Sequence, residues 1–177
     1  MLKIGDPLPP FRLPGTDGRS YGPEDFRDKK TLVVIFSCNH CPTVQAYEDR
    51  MVALQREFGP KGVQLLAINP NDDQGYPEDS FENMVERAKA KGFNFPYLRD
   101  ASQEVARTYG ADHTPHIFVF GPERKLAYTG KIDDDWKDPS RVTRRHLAEA
   151  LDALLSGRTV EEPETHAIGC SIKWKRG

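Results

Sequence analysis

Residues 32–43 read LVVIFSCNHCPT, an unbroken apolar run that ends on two cysteines at C-x-x-C spacing. The run Leu32-Val33-Val34-Ile35-Phe36 shows no polar alternation, which predicts a strand covered on both faces, central in a parallel or mixed sheet. Beyond the cysteines, Val44, Tyr47, Met51, Leu54 and Phe58 recur at spacings of three and four, the core-facing stripe of an amphipathic helix. The cysteines therefore open a helix. Unpaired backbone N–H groups and the positive end of the macrodipole favour an anion there, so a stabilised Cys38 thiolate is expected. Pro42 suits a first turn, where its missing N–H has no intrahelical acceptor. Cys38 at the outer edge of the helix is expected to be the attacking thiolate, with Cys41 tucked into the first turn.

The remaining chain supplies partners for this strand and helix. Residues 5–26 are rich in proline and glycine, with Asp17-Gly18 as a turn between short strands around Phe11–Leu13 and Arg19–Tyr21. Val63 to Asn69 reads as a second apolar strand, and the β-α-β order makes it a parallel neighbour of the first. A polar loop from Asn69 to Asp79 leads to a helix with Phe81, Met84, Val85 and Ala88 on one face, ended near Gly92. Phe95 to Leu98 is a short extended segment, and Ser102 to Tyr109 a short helix closed by Gly110. A strand over Thr114 to Phe120 turns through Gly121–Arg124 into Lys125–Gly130, forming an antiparallel hairpin. Val142, Leu147, Ala150, Leu151, Leu154 and Leu155 mark a last helix stopped near Gly157. Residues 158–177 form a tail, with Ile168, Cys170, Ile172 and Trp174 available for docking. The organisation is one α/β domain over residues 1–157 and a docked C-terminal tail over 158–177.

Composition narrows the function. A chain of 177 residues buries a core without disulfide staples. Its formal net charge is −2 and its 25 basic residues are scattered, so neither nucleic acid nor an anionic membrane is an expected partner. No apolar run approaches the ~20 residues that span a bilayer, and the first residues lack the apolar core of a signal peptide. A cytoplasmic location is expected. Three cysteines there are too few for a disulfide scaffold, and two at C-x-x-C spacing point to redox or metal chemistry.

The order of elements over roughly residues 4–157, with Cys38 and Cys41 at a strand-to-helix junction and Thr114-Pro115 opening a later strand, resembles the thioredoxin-like superfamily. The N-terminal hairpin and the extra strand and helix between Ile68 and Thr114 are more similar to its alkyl hydroperoxide reductase and thiol-specific antioxidant branch, the peroxiredoxin-like one. The resemblance implies a thioredoxin-like fold, a central mixed sheet flanked by helices. It implies that Cys38 is the nucleophilic cysteine and Cys41 the resolving one, together a redox-active pair. It also implies a cis Thr114–Pro115 bond packed beside the cysteines, with the backbone around Thr114 binding an extended substrate segment; Asn39 and His40 are further candidate substrate contacts. Two departures are visible. Thr31 to Ser37 holds no carboxylate to match the buried acid of many thioredoxins, which leaves proton transfer unassigned. Cys41-Pro42-Thr43 is similar to the sequence around a peroxidatic cysteine, but Cys38 stands where peroxiredoxins carry Thr or Ser, and no arginine matches their peroxide-binding one.

The leading expectation is a thiol–disulfide oxidoreductase without cofactor or metal, acting through Cys38 and Cys41 on a protein or small-molecule disulfide and coupled to an electron donor or acceptor. The alternatives are a copper- or zinc-binding chaperone using the same cysteines with His113 and His116 nearby, and a thiol peroxidase. A closed structural zinc site would want a second C-x-x-C or H-x-x-x-H, which is absent. His40, between the cysteines, reads either as a solvated turn residue or as a cation lowering the thiol pKa. Asp133-Asp134-Asp135 lacks the spacing of a calcium loop and reads as a solvated turn. Cys170 is a candidate third redox thiol if the tail docks on the Cys38 face, since Gly169 permits close backbone approach.

Overall fold

The computed structural model describes residues 1–176. Its centre is a five-stranded sheet built on β3 (Thr31–Phe36), all six residues of which are buried. β4 (Val63–Asn69) lies parallel beside it and β5 (Tyr97–Arg99) parallel beyond that. On the other side β7 (His116–Phe120) and β8 (Leu126–Gly130) run antiparallel, giving the order β5-β4-β3-β7-β8. The sheet is mixed, as the apolar run and the β-α-β order predict.

Because successive strand residues point to opposite faces, two cores form. Val33, Ile35, Leu65, Ala67, Ile117 and Val119 face α1 (Pro42–Phe58), α2 (Phe81–Ala90) and α4 (His146–Leu155), meeting Tyr47, Met51, Phe58, Met84, Leu147 and Leu151. Leu32, Val34, Phe36, Leu66, Ile68, Phe118 and Phe120 face Phe11, Phe26, Ile172 of the tail, and Ala106 and Tyr109 of α3 (Glu104–Tyr109). Each buried Val, Leu, Ile, Phe or Met among them contributes roughly 1.5–3 kcal/mol by leaving water. The N-terminal hairpin pairs β1 (Leu13–Pro14) with β2 (Ser20–Tyr21) through a turn in which Gly18 takes φ +86°.

Four expectations need correction. The strand expected over Thr114–Phe120 is interrupted at the cis Thr114–Pro115 bond: β6 (His113–Thr114) leaves the main sheet and pairs instead with β9 (Cys170–Ser171). The last helix starts at His146 rather than Val142, which is extended after a single 3-10 turn at Pro139–Arg141. Asp133 is not solvated; it is buried and accepts hydrogen bonds from Tyr47 Oη at 2.7 Å and from the Arg50 guanidinium at 2.8 and 3.0 Å. Of the three apolar tail residues expected as anchors, only Ile172 is buried, while Ile168 and Trp174 are exposed.

Candidate active site

β3 delivers the cysteines. Ser37 still bonds to the sheet, its N–H donating to Ile68 O at 2.8 Å, and Cys38, Asn39 and His40 then turn the chain into α1. Cys41 is the N-cap, with extended backbone at φ −73° and ψ 123°, and Pro42 takes the first helical position. Cys38 and Cys41 are 2 % and 1 % exposed and cluster with Val44 and Cys170.

The sulfurs are paired differently from the sequence expectation. The disulfide joins Cys41 to Cys170, with Cα atoms 6.2 Å apart, and Cys38 is the free thiol. The cause is the tail, whose β9 registers Cys170 opposite Thr114. Thr114 lines both first-motif sulfurs: its hydroxyl lies 3.5 Å from Cys38 Sγ and its carbonyl oxygen 3.5 Å from Cys41 Sγ. Gly169 allows the approach, because a Cβ there would lie 2.0 Å from Thr114 O.

The expected exposed, stabilised Cys38 thiolate is also corrected. Burial and then the Asp79 carboxylate push the Cys38 pKa up to about 11, against the Thr114 hydroxyl and the backbone N–H groups of Cys41 and His40, which lower it. The helix start does direct its donors at the sulfur; desolvation of a buried thiolate outweighs them. Cys38 is therefore a thiol at neutral pH while Cys41 and Cys170 are bonded.

Asp79 is the residue that sequence reasoning missed. It closes a 3-10 turn (Pro77–Asp79), is fully buried, and reaches the cysteine turn from a different element than β3. Its Oδ1 accepts from Asn39 N at 2.6 Å and Asn69 Nδ2 at 3.2 Å; its Oδ2 accepts from Asn71 Nδ2 at 3.0 Å and touches His40 Nδ1. His40 stacks on Tyr76, ring centroids 5.6 Å apart. Asn39 points inward, its Oδ1 accepting from Tyr97 Oη at 2.7 Å and its Nδ2 donating to Glu78 O at 2.9 Å, so its side chain serves the turn. Within an acid-rich loop of no periodicity, nothing in the sequence distinguishes Asp79 from its exposed neighbour Glu78 or the half-buried Asp73.

The two histidines beside Thr114-Pro115 do not join the cysteines. His116 is buried on β7, 4.6 Å from the Phe118 ring centroid, and His113 is partly exposed beside Asp112. Among the described residues, the group of possible metal-binding side chains is Cys38, His40 and Asp79. No helix of the described residues is long and apolar enough to cross a membrane.

Proteins similar to this chain in sequence include redox enzymes. Peroxiredoxin Bcp of Escherichia coli K12 is 31% identical over 113 residues, covering 62% of this chain and 65% of that protein. The thiol-disulfide oxidoreductase ResA of Halalkalibacterium halodurans is 22% identical over 136 residues, covering 76% and 73%. The crystal structure of an uncharacterized conserved protein from Geobacillus kaustophilus superimposes with a TM-score of 0.94 at 44% identity, covering 100% of this chain and 95% of that one. The model of the AhpC/TSA family matches residues 4–129, from the N-terminal segment through the cysteine turn and the cis-proline into β8. With that match over most of its length, and with a thioredoxin-like sheet carrying its cysteines at the β3–α1 junction, the chain belongs to the AhpC/TSA family.

Proposed function

We propose that this protein is a thiol–disulfide oxidoreductase in which three cysteines form one exchange relay. The observation that carries the reading is the gathering of Cys38, Cys41 and Cys170 into a single cluster, with one disulfide among them and one thiol left over. In the fully reduced protein, Cys38 loses its proton and attacks one sulfur of a substrate disulfide, expelling the other half as a thiolate. Cys41 then attacks Cys38 Sγ and expels the substrate's second thiolate. Cys170 attacks Cys41 in turn, which regenerates the Cys38 thiol and leaves Cys41–Cys170. The net change is two electrons from the Cys41/Cys170 dithiol to the substrate, and an external dithiol, or an oxidant in the reverse direction, completes the cycle. The Thr114 edge, which the family resemblance assigns to an extended substrate segment, is paired with Cys170–Ser171, so a protein substrate bound there exchanges places with the tail.

One observation favours a second reading. The bond between Cys41 and Cys170 is also the product of peroxide reduction. There Cys41 attacks the peroxide, releases an alcohol or water and becomes a sulfenic acid, and Cys170 condenses with it to release water. One experiment separates the two. Reduced wild-type, Cys38→Ser and Cys41→Ser proteins are mixed with a mixed-disulfide substrate and, separately, with hydrogen peroxide. For the exchange enzyme, Cys38→Ser abolishes disulfide reduction and Cys41→Ser accumulates a Cys38–substrate adduct seen by mass spectrometry. Rapid peroxide-driven formation of Cys41–Cys170 that is undiminished in Cys38→Ser, with no disulfide exchange in the wild type, overturns it in favour of the peroxidase.

A further inference from the structure

We infer that Cys38, His40 and Asp79 form a binding site for a single zinc-class divalent cation, separate from the Cys41–Cys170 disulfide. One donor atom from each residue lies within 4.8 Å of the other two. A tetrahedral zinc with bonds of about 2.0–2.3 Å holds its donors roughly 3.3–3.8 Å apart, so closure needs shifts of about 1 Å. The donor set of one thiolate, one imidazole and one carboxylate suits zinc and cobalt(II) better than the oxygen-seeking magnesium or calcium.

Two of the three donors are already aimed at one another. His40 Nδ1 is buried and touches the Asp79 carboxylate, yet it makes no hydrogen bond of proper geometry. The two groups already face one another in contact, so a cation entering between them needs only that they part by about 1 Å. The shell behind the donors is in place: Asp79 is held by Asn39 N, Asn69 and Asn71, so the carboxylate is oriented before any ion arrives. Charge balances as well. A divalent cation with one thiolate and one carboxylate is neutral, so the ion compensates the thiolate that burial and Asp79 disfavour in the metal-free protein. His40, partly exposed and stacked on Tyr76, marks the solvent side, where an ion enters and a fourth ligand is water. Binding replaces the Cys38 proton, released to solvent, by a metal–sulfur bond; no electron moves. Cys41 takes no part, since its sulfur is already bonded to Cys170.

The inference is independent of the redox reading: the metal test uses the full-length oxidised protein, and the exchange assays above are run with chelator present. Cobalt(II) is titrated into metal-free protein and followed by the near-ultraviolet thiolate-to-cobalt band and the visible bands of four-coordinate cobalt. The expected result is a one-to-one endpoint, reversal by zinc, and protection of Cys38 from alkylation. Cys38→Ser should lose the thiolate band, and His40→Ala and Asp79→Asn should each weaken binding at least tenfold, while His113→Ala should leave it unchanged. If Asp79→Asn fails to fold by circular dichroism, His40→Ala, altering a partly exposed side chain, decides alone. Absence of the thiolate band at millimolar cobalt, or wild-type affinity in His40→Ala, overturns the site.

Discussion

His116 is the clearest case of a single residue whose chemistry follows from its position. It opens β7 almost fully buried, against the Phe118 ring, with Asp112 N donating to its Nδ1 at 3.4 Å. Burial lowers its pKa to about 4 and the neighbouring His113 adds to this, while the Asp112 carboxylate opposes it. The folded state thus holds a neutral imidazole, whereas the unfolded chain takes up a proton near pH 6.5. The associated stability is complete above that pH and is lost as the pH falls toward 4, a change of about 3 kcal/mol at most. Urea unfolding at pH 7 and pH 4.5 checks this. The wild type should lose roughly 2–3 kcal/mol more than His116→Leu over that interval, and equal losses would show that His116 is not the titrating group. The same scale shows how much of the site was legible. Cys38 and Cys41 stand out because strand and helix patterns frame them, and Thr114 enters through the family resemblance that Thr114-Pro115 helps to carry. Asp79 does neither, because a residue becomes a buried carboxylate through tertiary closure of a loop, and loops carry no period.

At the scale of elements, the strands and helices that pack on both sides of β3 announce themselves by period, since each must present apolar residues to a core. The elements that shape the site are the short ones. β6 and β9 have two residues each, too few for any periodicity, and they pair across more than fifty positions of sequence. Gly169 was the one local hint, and it identifies the weak point of that pairing. Alanine there would place Cβ 2.0 Å from the Thr114 carbonyl oxygen, a backbone atom that cannot swing aside. Gly169→Ala is therefore expected to lift β9 from β6 and carry Cys170 away from Cys41. In a glutathione redox buffer, mass spectrometry should find the Cys41–Cys170 fraction reduced several-fold relative to wild type. An unchanged fraction would mean that the tail reaches Cys41 without this strand pairing.

For the whole molecule, the tail acts as a clamp. Ile172 completes the core on one face of the sheet, and its N–H donates to Asp112 O at 3.1 Å. Lys173 joins two loops, its N–H donating to Asn71 Oδ1 at 2.9 Å and its carbonyl accepting from Asp72 N at 2.8 Å and Gln103 Nε2 at 3.0 Å. Asn71 also holds Asp79, so tail docking and site geometry share a residue. The disulfide adds a covalent closure over 129 positions of sequence. A loop of that length removes chain entropy from the unfolded state worth about 5 kcal/mol as an upper limit, less whatever residual structure the unfolded chain keeps. Oxidised wild type should therefore unfold at higher urea than Cys170→Ser, and dithiothreitol should erase the difference by lowering the wild type alone. The noncovalent contacts predict that Cys170→Ser still folds with its tail in place, so proteolysis should cut near residue 158 no faster than in reduced wild type. If dithiothreitol left the wild-type midpoint unmoved, the bond would be a reaction intermediate with no structural share. If instead Cys170→Ser lost its tail to protease at once, the bond rather than the Ile172 and Lys173 contacts would be what seats it.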